Sequence, residues 1–396
     1  MTPAAEPPAS SLNPLAVPML AAAYFMLGVV VYSPIGLVGQ MSADLDVSEG
    51  SIAFLLSALA YTYAVAAPLL QIAIGDWDRR RLLVLGLTVM AIGLLLSAIA
   101  PTYPLVVVAR MVMALGASLI GPMVSAAAAS IVPPERAGRA IGIVLLGISI
   151  SSVLGVPVAS FLGGLYGWRF AMVCMAVACG VIIVGLRATV PIGSRGVRTT
   201  PAALREIAGD AVIAPALLVT FFQTAAQLAT FSLIAVYLND VFGVGETHLP
   251  AALVALGLAS VGGSAIAAQR LGRTSHDRLL VAAFTGVAVM LILVQMPFKG
   301  WPALLVLGLW SVASGMGVAP QSARLVALAG DARNMVLTLN AALLQAGVAS
   351  GAALAGVVHD RVGVSRLPLA SLVLMLMAAG IYALSRVQEK RRGAHI

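Results

Sequence analysis

Arg110 is the one charged side chain of this sequence that falls in the middle of an apolar run; none of the fifteen carboxylates does. A guanidinium in hydrocarbon costs about 2.5–3.5 kcal/mol on insertion scales, so it belongs beside a cavity or against acceptors inside a protein. Two roles follow from its chemistry. Facing a cavity, Arg110 would attract an anionic or strongly hydrogen-bonding molecule; otherwise it would donate to span-end carbonyls and neighbouring hydroxyls. The cavity-facing role is expected. The missing acids matter equally, because a direct proton relay through a membrane centre needs a buried group that titrates.

A second pattern is uncharged. Thr220, Gln223, Gln227 and Thr230 recur at intervals of three, four and three, so they share one helix face over ~15 Å. Amides at membrane depth need partners, either across a helix contact or in a wet cavity. A cavity-lining stripe is expected, with helix–helix hydrogen bonding as the alternative. Trp310, Ser314, Gly317 and Gln321 share a face in the same way, and an aromatic beside a hydroxyl and an amide could stack on a planar or sugar-like molecule. Tyr24 and Tyr32, then Asn340 and Gln345, complete the candidates for binding a small molecule. His248, His276, His359 and His395 are expected in loops or the tail, and Cys174 and Cys179, five apart on one helix, cannot bridge. No metal or cofactor is expected.

The elements that position these groups are helices. Hydrophobic residues make up 61% of the chain and charged residues 10%, outside the range of a soluble domain. Twelve apolar runs of spanning length, which takes roughly 20 residues, lie at 15–38, 51–73, 82–101, 104–132, 140–165, 170–190, 211–236, 250–268, 279–297, 302–323, 335–358 and 367–385. The runs are continuous and rich in Ala, Leu and Gly, not alternating, which excludes a barrel reading. The fold class is an all-α polytopic membrane protein. With both termini cytoplasmic, eighteen of the twenty-three basic residues fall on the inner side, and Arg169, Lys299, Arg361 and Arg366 fall outside. That bias accounts for the net charge of +8 with no nucleic-acid partner.

The chain divides into an N-terminal tail (1–14), six spans (15–190), a cytoplasmic linker (191–210), six spans (211–386) and a C-terminal tail (387–396). The halves echo each other. Gly75 followed by Arg81-Leu82-Leu83-Val84 returns as Gly272 followed by Arg278-Leu279-Leu280-Val281, and Gly155 and Gly167 return as Gly351 and Gly363. Such parallel six-span repeats place a substrate near the bilayer midplane between the halves.

Three stretches carry a resemblance. Gly75-Asp76-Trp77-Asp78-Arg79-Arg80-Arg81-Leu82-Leu83 resembles the signature loop of the major facilitator superfamily between spans 2 and 3, with one glycine missing and a compressed spacing. Arg110 followed by Gly116 in span 4, and Gly155-Val156-Pro157 with Gly163-Gly164 in span 5, are similar to the second and antiporter motifs of its drug, sugar and nucleoside efflux branch. The resemblance implies two parallel-related six-helix halves and an exporter working by alternating access in a bacterial-type inner membrane. A monomer is expected, with a small polar or amphipathic molecule as substrate, the lipid bilayer as surroundings and protons as the coupling ion.

The resemblance also implies gating roles for Gly75, Asp78, Arg79, Arg80, Gly155 and Pro157, with Asp78 held by adjacent arginines as a latch. Small residues at Ser151, Gly155, Ala159 and Gly163, repeated at Gly347, Gly351 and Ala355, permit close helix packing; a smooth face for one half to rock on the other is the functional reading. The branch commonly places a glutamate in the outer part of span 1, where this chain reads Val31-Tyr32-Ser33-Pro34. Proton antiport is therefore expected from resemblance alone, and facilitated or potential-driven export is the alternative; a membrane-embedded enzyme is a distant one. Asp76, Asp78, Asp210 and Asp240 are the carboxylates expected near the pathway.

Overall fold

A computed structural model describes residues 13–195, 205, 207, 209–245, 247–271, 273–296, 301–329 and 333–393. Most of the N-terminal tail, the linker centre, and Gly272, Lys299 and His395 lie outside these residues. The spans are, in order, Ala16–Gly36, Glu49–Ile74, Arg79–Ile99, Tyr103–Ser130, Pro134–Tyr166, Trp168–Thr189, Ile213–Phe231, Leu249–Arg270, His276–Leu293, Pro302–Ala329, Arg333–Val362 and Leu367–Gly393. Span 5 is bent by 40° between Glu135–Ser151 and Val153–Tyr166, next to Pro157, whose missing N–H leaves a carbonyl of the preceding turn without its backbone donor. Short helices Val38–Leu45 and Ile234–Phe242 continue spans 1 and 7 past a break.

Local chemistry sets the starts and stops. Ser48, Asp78 and Ser275 cap spans 2, 3 and 9, their side chains accepting from the backbone N–H of Ser51, Arg81 and Arg278. Gly167 and Gly363, matched by the sequence repeat, both turn the chain with positive φ, +85° and +90°. The repeat is architectural. Span 1 packs on 5 and 6, span 2 on 4, and span 3 on 4 and 6; span 7 packs on 11 and 12, span 8 on 10, and span 9 on 10 and 12. The halves meet through span 2 against 11 and span 5 against 8.

Two expectations change here. The final helix continues to Gly393, well past residue 385. Span 10 continues to Ala329, so Arg324 is not a loop residue. It is 0% exposed and donates to Ser385 Oγ at 2.8 Å and Glu389 Oε2 at 3.2 Å, with its guanidinium 5.0 Å from the Tyr382 ring centroid. An apolar run ends where charges begin, but a helix whose charged turn packs on a neighbour goes further.

Candidate functional site

Pro34 follows the last α-helical turn of span 1 and has no N–H to offer the carbonyl of Val30. Arg110 supplies the donor from span 4. Its Nη1 lies 2.8 Å from Val30 O, Nη2 2.9 Å from Val31 O, and Nε 3.5 Å from Leu55 O of span 2. Ser33 Oγ also donates to Val30 O, at 3.0 Å. Arg110 is 1% exposed, so the expected cavity-facing position is not adopted in this conformation. The guanidinium instead ties three spans together at the break in span 1. Tyr32 follows Val31 at the end of the same helix, with Tyr24 two turns earlier in span 1. Tyr63 of span 2, whose ring reaches Gly121 of span 4, is a residue that the sequence did not single out.

In the C-terminal half the span 7 stripe divides. Thr220 Oγ1 donates to Asn340 Oδ1 at 2.8 Å, and Gln321 Nε2 donates to Ala216 O and Thr220 Oγ1 at 2.7 and 3.2 Å, joining spans 7, 10 and 11. Thr230 pairs with Ser371 of span 12 at 2.7 Å and is helix glue. Gln223 and Gln227 remain half-buried and converge with Ser314 on a small internal cavity walled by Phe284 and Met375. Among the described residues, the hydroxyl of Ser314, the indole N–H of Trp310 and the Oε1 of Gln321 are buried without protein partners. Gln345 is buried in span 11. The structure thus gathers Gln223, Gln227 and Ser314 in one place, the tyrosines in another, and Thr230 in neither.

At the linker end, Asp78 is 8% exposed and is held by backbone, not by arginine side chains. Its Oδ1 accepts from Arg81 N at 3.1 Å and its Oδ2 from Gly193 N at 2.7 Å. Arg79 donates to Ala126 O and Ser194 Oγ, both at 3.0 Å, and Arg80 to Arg187 O and Val190 O at 3.2 and 2.9 Å. The loop starting at Gly75 therefore fastens the first linker residues to the ends of spans 4 and 6. The small-residue stripes also pack inside their own halves: a Cβ on Gly155 would stand 3.2 Å from Val29 of span 1, and one on Gly351 would run into the Ala225 carbonyl oxygen and stand 3.0 Å from Leu228 Cβ of span 7. They do not form the surface between halves.

Spans 2 and 11 of the two halves are also joined by polar contacts, which run from mid-span to the end opposite the linker. Ser57 Oγ donates to Ala349 O at 2.7 Å, Tyr61 and Ser350 share a 2.8 Å hydrogen bond, and Ser48 Oγ donates to Asp360 Oδ2 at 3.1 Å. Glu49 Oε2 lies 3.5 Å from His359 Nε2, an ion pair when the imidazole carries a proton. Beside this seam a cavity of about 750 Å³ opens between the halves, lined by Gln40 and Glu49 from one and Asn239 and Asp240 from the other. His359 belongs to span 11 and not to a loop, and Glu49 and Asp360 were absent from the carboxylates expected near the pathway. Residues some 310 positions apart carry no linear signal of pairing.

A sequence model of the Major Facilitator Superfamily matches residues 19–352. The chain belongs to the Major Facilitator Superfamily. It is 28% identical over 372 residues to the inner membrane transport protein YdhP of Escherichia coli K12, covering 91% of this chain and 94% of that one. It is 32% identical over 298 residues to a chloramphenicol resistance protein of Streptomyces lividans, covering 74% and 73%. Among solved structures, an inward-facing bacterial homologue of the human lysosomal transporter Spinster superposes with a TM-score of 0.75 at 16% identity, covering 96% and 98%; that likeness shows the fold. This facilitator-superfamily protein is a multi-pass membrane transporter and not an enzyme. Among the described residues no group of His, Cys, Asp and Glu could hold a metal.

Proposed function

We propose that this transporter exports a small polar or amphipathic organic molecule, of drug, sugar or nucleoside type, by alternating access driven by proton antiport. The observation that carries the substrate class is the uncharged polar cluster of Gln223, Gln227 and Ser314 around one internal cavity, where the Ser314 hydroxyl is buried with no partner among the described residues. Buried polar groups left unpaired favour a ligand or water that supplies the missing bonds. A neutral hydrogen-bonding substrate suits that lining, and similarity to a chloramphenicol resistance protein supports export. The positive-inside bias supports a cytoplasmic linker end and cytoplasmic termini, with the seam of spans 2 and 11 towards the outer side.

Proton drive is supported by where the titratable side chains sit. Glu49, Asp240, His359 and Asp360 gather at the outer seam and vestibule, where their partners change as the halves separate. A second reading, facilitated or potential-driven export, is favoured by Arg110 being committed to carbonyls with no acid bonded to it. Flux of a phenicol in proteoliposomes separates them. Acceleration by an imposed pH gradient, reduced in Glu49→Gln, supports antiport; response to voltage alone at clamped pH selects the second reading; no flux above empty liposomes removes phenicols from the substrate class.

A further inference from the structure

The sequence repeat at Arg81 and Arg278 builds two grooves at the linker end, one in each half, between the third and last spans of that half. The N-terminal groove, about 410 Å³, is lined by Arg81, Val84, Leu85 and Thr88 of span 3, with Arg80 above and Arg187 of span 6 opposite. Its counterpart, about 650 Å³, takes Arg278, Val281, Ala282 and Thr285 in the same register, with Arg386 of span 12 opposite. The two differ in charge. In the second groove Asp277 stands where the first has Arg80, and it pairs with Arg386 at 2.9 Å. In the first, no carboxylate lines the groove, and among the described residues neither Arg81 nor Arg187 meets an acid.

We propose that the groove between spans 3 and 6 is a binding site for an anionic phospholipid, with the headgroup phosphate on Arg81 and Arg187 and an acyl chain along span 3. Guanidiniums present forked donors that match phosphate oxygens, and basic pockets between membrane helices are where anionic headgroups lodge. The floor fits the remainder of the lipid. Leu85, 39% exposed, is followed on the same face by Ile92 and Leu96, 48% and 41% exposed, and Val177, Val181 and Val184 of span 6 are exposed alongside. A headgroup there would sit against the turn that fastens the linker, since Arg80 in the same groove holds the carbonyls of Arg187 and Val190. The second groove, with Arg386 already neutralised, is the internal comparison.

Native mass spectrometry of the detergent-purified full chain, with phosphatidylglycerol set against phosphatidylcholine of the same acyl chains, tests the assignment. The wild type should retain phosphatidylglycerol preferentially. Each arginine removed in R81Q/R187Q should weaken that preference by about fivefold; R81K/R187K should keep most of it, and R278Q should leave it within about twofold, having no part in the site. Equal retention by the wild type and R81Q/R187Q overturns the proposal. So does inorganic phosphate that raises the melting temperature in phosphatidylcholine as far as phosphatidylglycerol does, because the arginines would then hold a free anion. Leu85→Trp reports without removing an arginine: brominated phosphatidylglycerol should quench its fluorescence more than brominated phosphatidylcholine, and equal quenching counts against the site.

Discussion

The carboxylate of Asp360, at the end of span 11, lies over the Cα of Gly50, in the first turn of span 2 in the other half: a Cβ built on Gly50 would stand 2.5 and 2.6 Å from its two oxygens. With Ser48 Oγ 3.1 Å away, one half supplies a negative cap to the helix start of the other, where exposed N–H groups favour an anion.

Gly50→Ala should therefore push the outer ends apart. Overpacking of this kind costs about 1–3 kcal/mol, although Asp360 can yield part of it by rotating. The expected outcome is a larger outward-open population in double electron–electron resonance between labels on the outer ends of spans 2 and 11. An unchanged distance distribution would mean that the carboxylate moves aside without loosening the seam.

Arg110→Lys keeps the charge and loses the fork that serves Val30 and Val31. Hydrogen bonds to charged groups contribute about 1.5–3 kcal/mol, so melting temperature and flux should both fall. Pro34→Ala restores a backbone N–H for Val30 O and should recover part of the stability of Arg110→Lys. A variant with normal stability but weakened substrate affinity would return Arg110 to direct contact with substrate.

Gln223→Ala and Gln227→Ala should each weaken ligand binding while the protein stays folded. Among the described residues neither amide makes a protein hydrogen bond, so the stability change should stay under about 1 kcal/mol. Isothermal titration alongside thermal melting reads both quantities. Reduced stability with intact affinity would assign the pair to helix packing.

Asp78→Asn removes the charge that holds Gly193 N–H and caps span 3. A loss of about 1–2 kcal/mol of local stability is expected, seen as faster hydrogen exchange at residues 192–195 together with slower transport. Full activity with unchanged exchange would reduce Asp78 to a topology residue.

The twelve spans were legible because hydrocarbon demands long apolar runs, and the pairing of halves because Gly167 and Gly363 must both adopt positive φ. Other features depend on contacts that distance along the chain conceals. Arg324 falls one residue beyond the apolar run at 302–323, and only the structure shows that its helix continues, sheltered by Ser385 and Glu389. The glycine stripes were recognisable as packing faces, but only the fold shows that they bind spans 1 and 7 within a half. Arg110 was singled out correctly as unusual, while its partners depend on Pro34 leaving a carbonyl free eighty residues away.

Beside the packing of span 2 on 11, the seam away from the linker carries three hydrogen bonds, one partly buried ion pair and a close approach of Gly356 to Gly50. The polar contacts alone contribute about 2–5 kcal/mol. A ligand that prefers one arrangement by about 10⁴-fold shifts a two-state equilibrium by about 5.5 kcal/mol, a shift comparable in size to these polar contacts. The glycine-lined contacts inside each half are close backbone approaches, whereas these polar contacts between the halves are made by side chains that can exchange partners, so the seam is where a bound molecule can tip the balance.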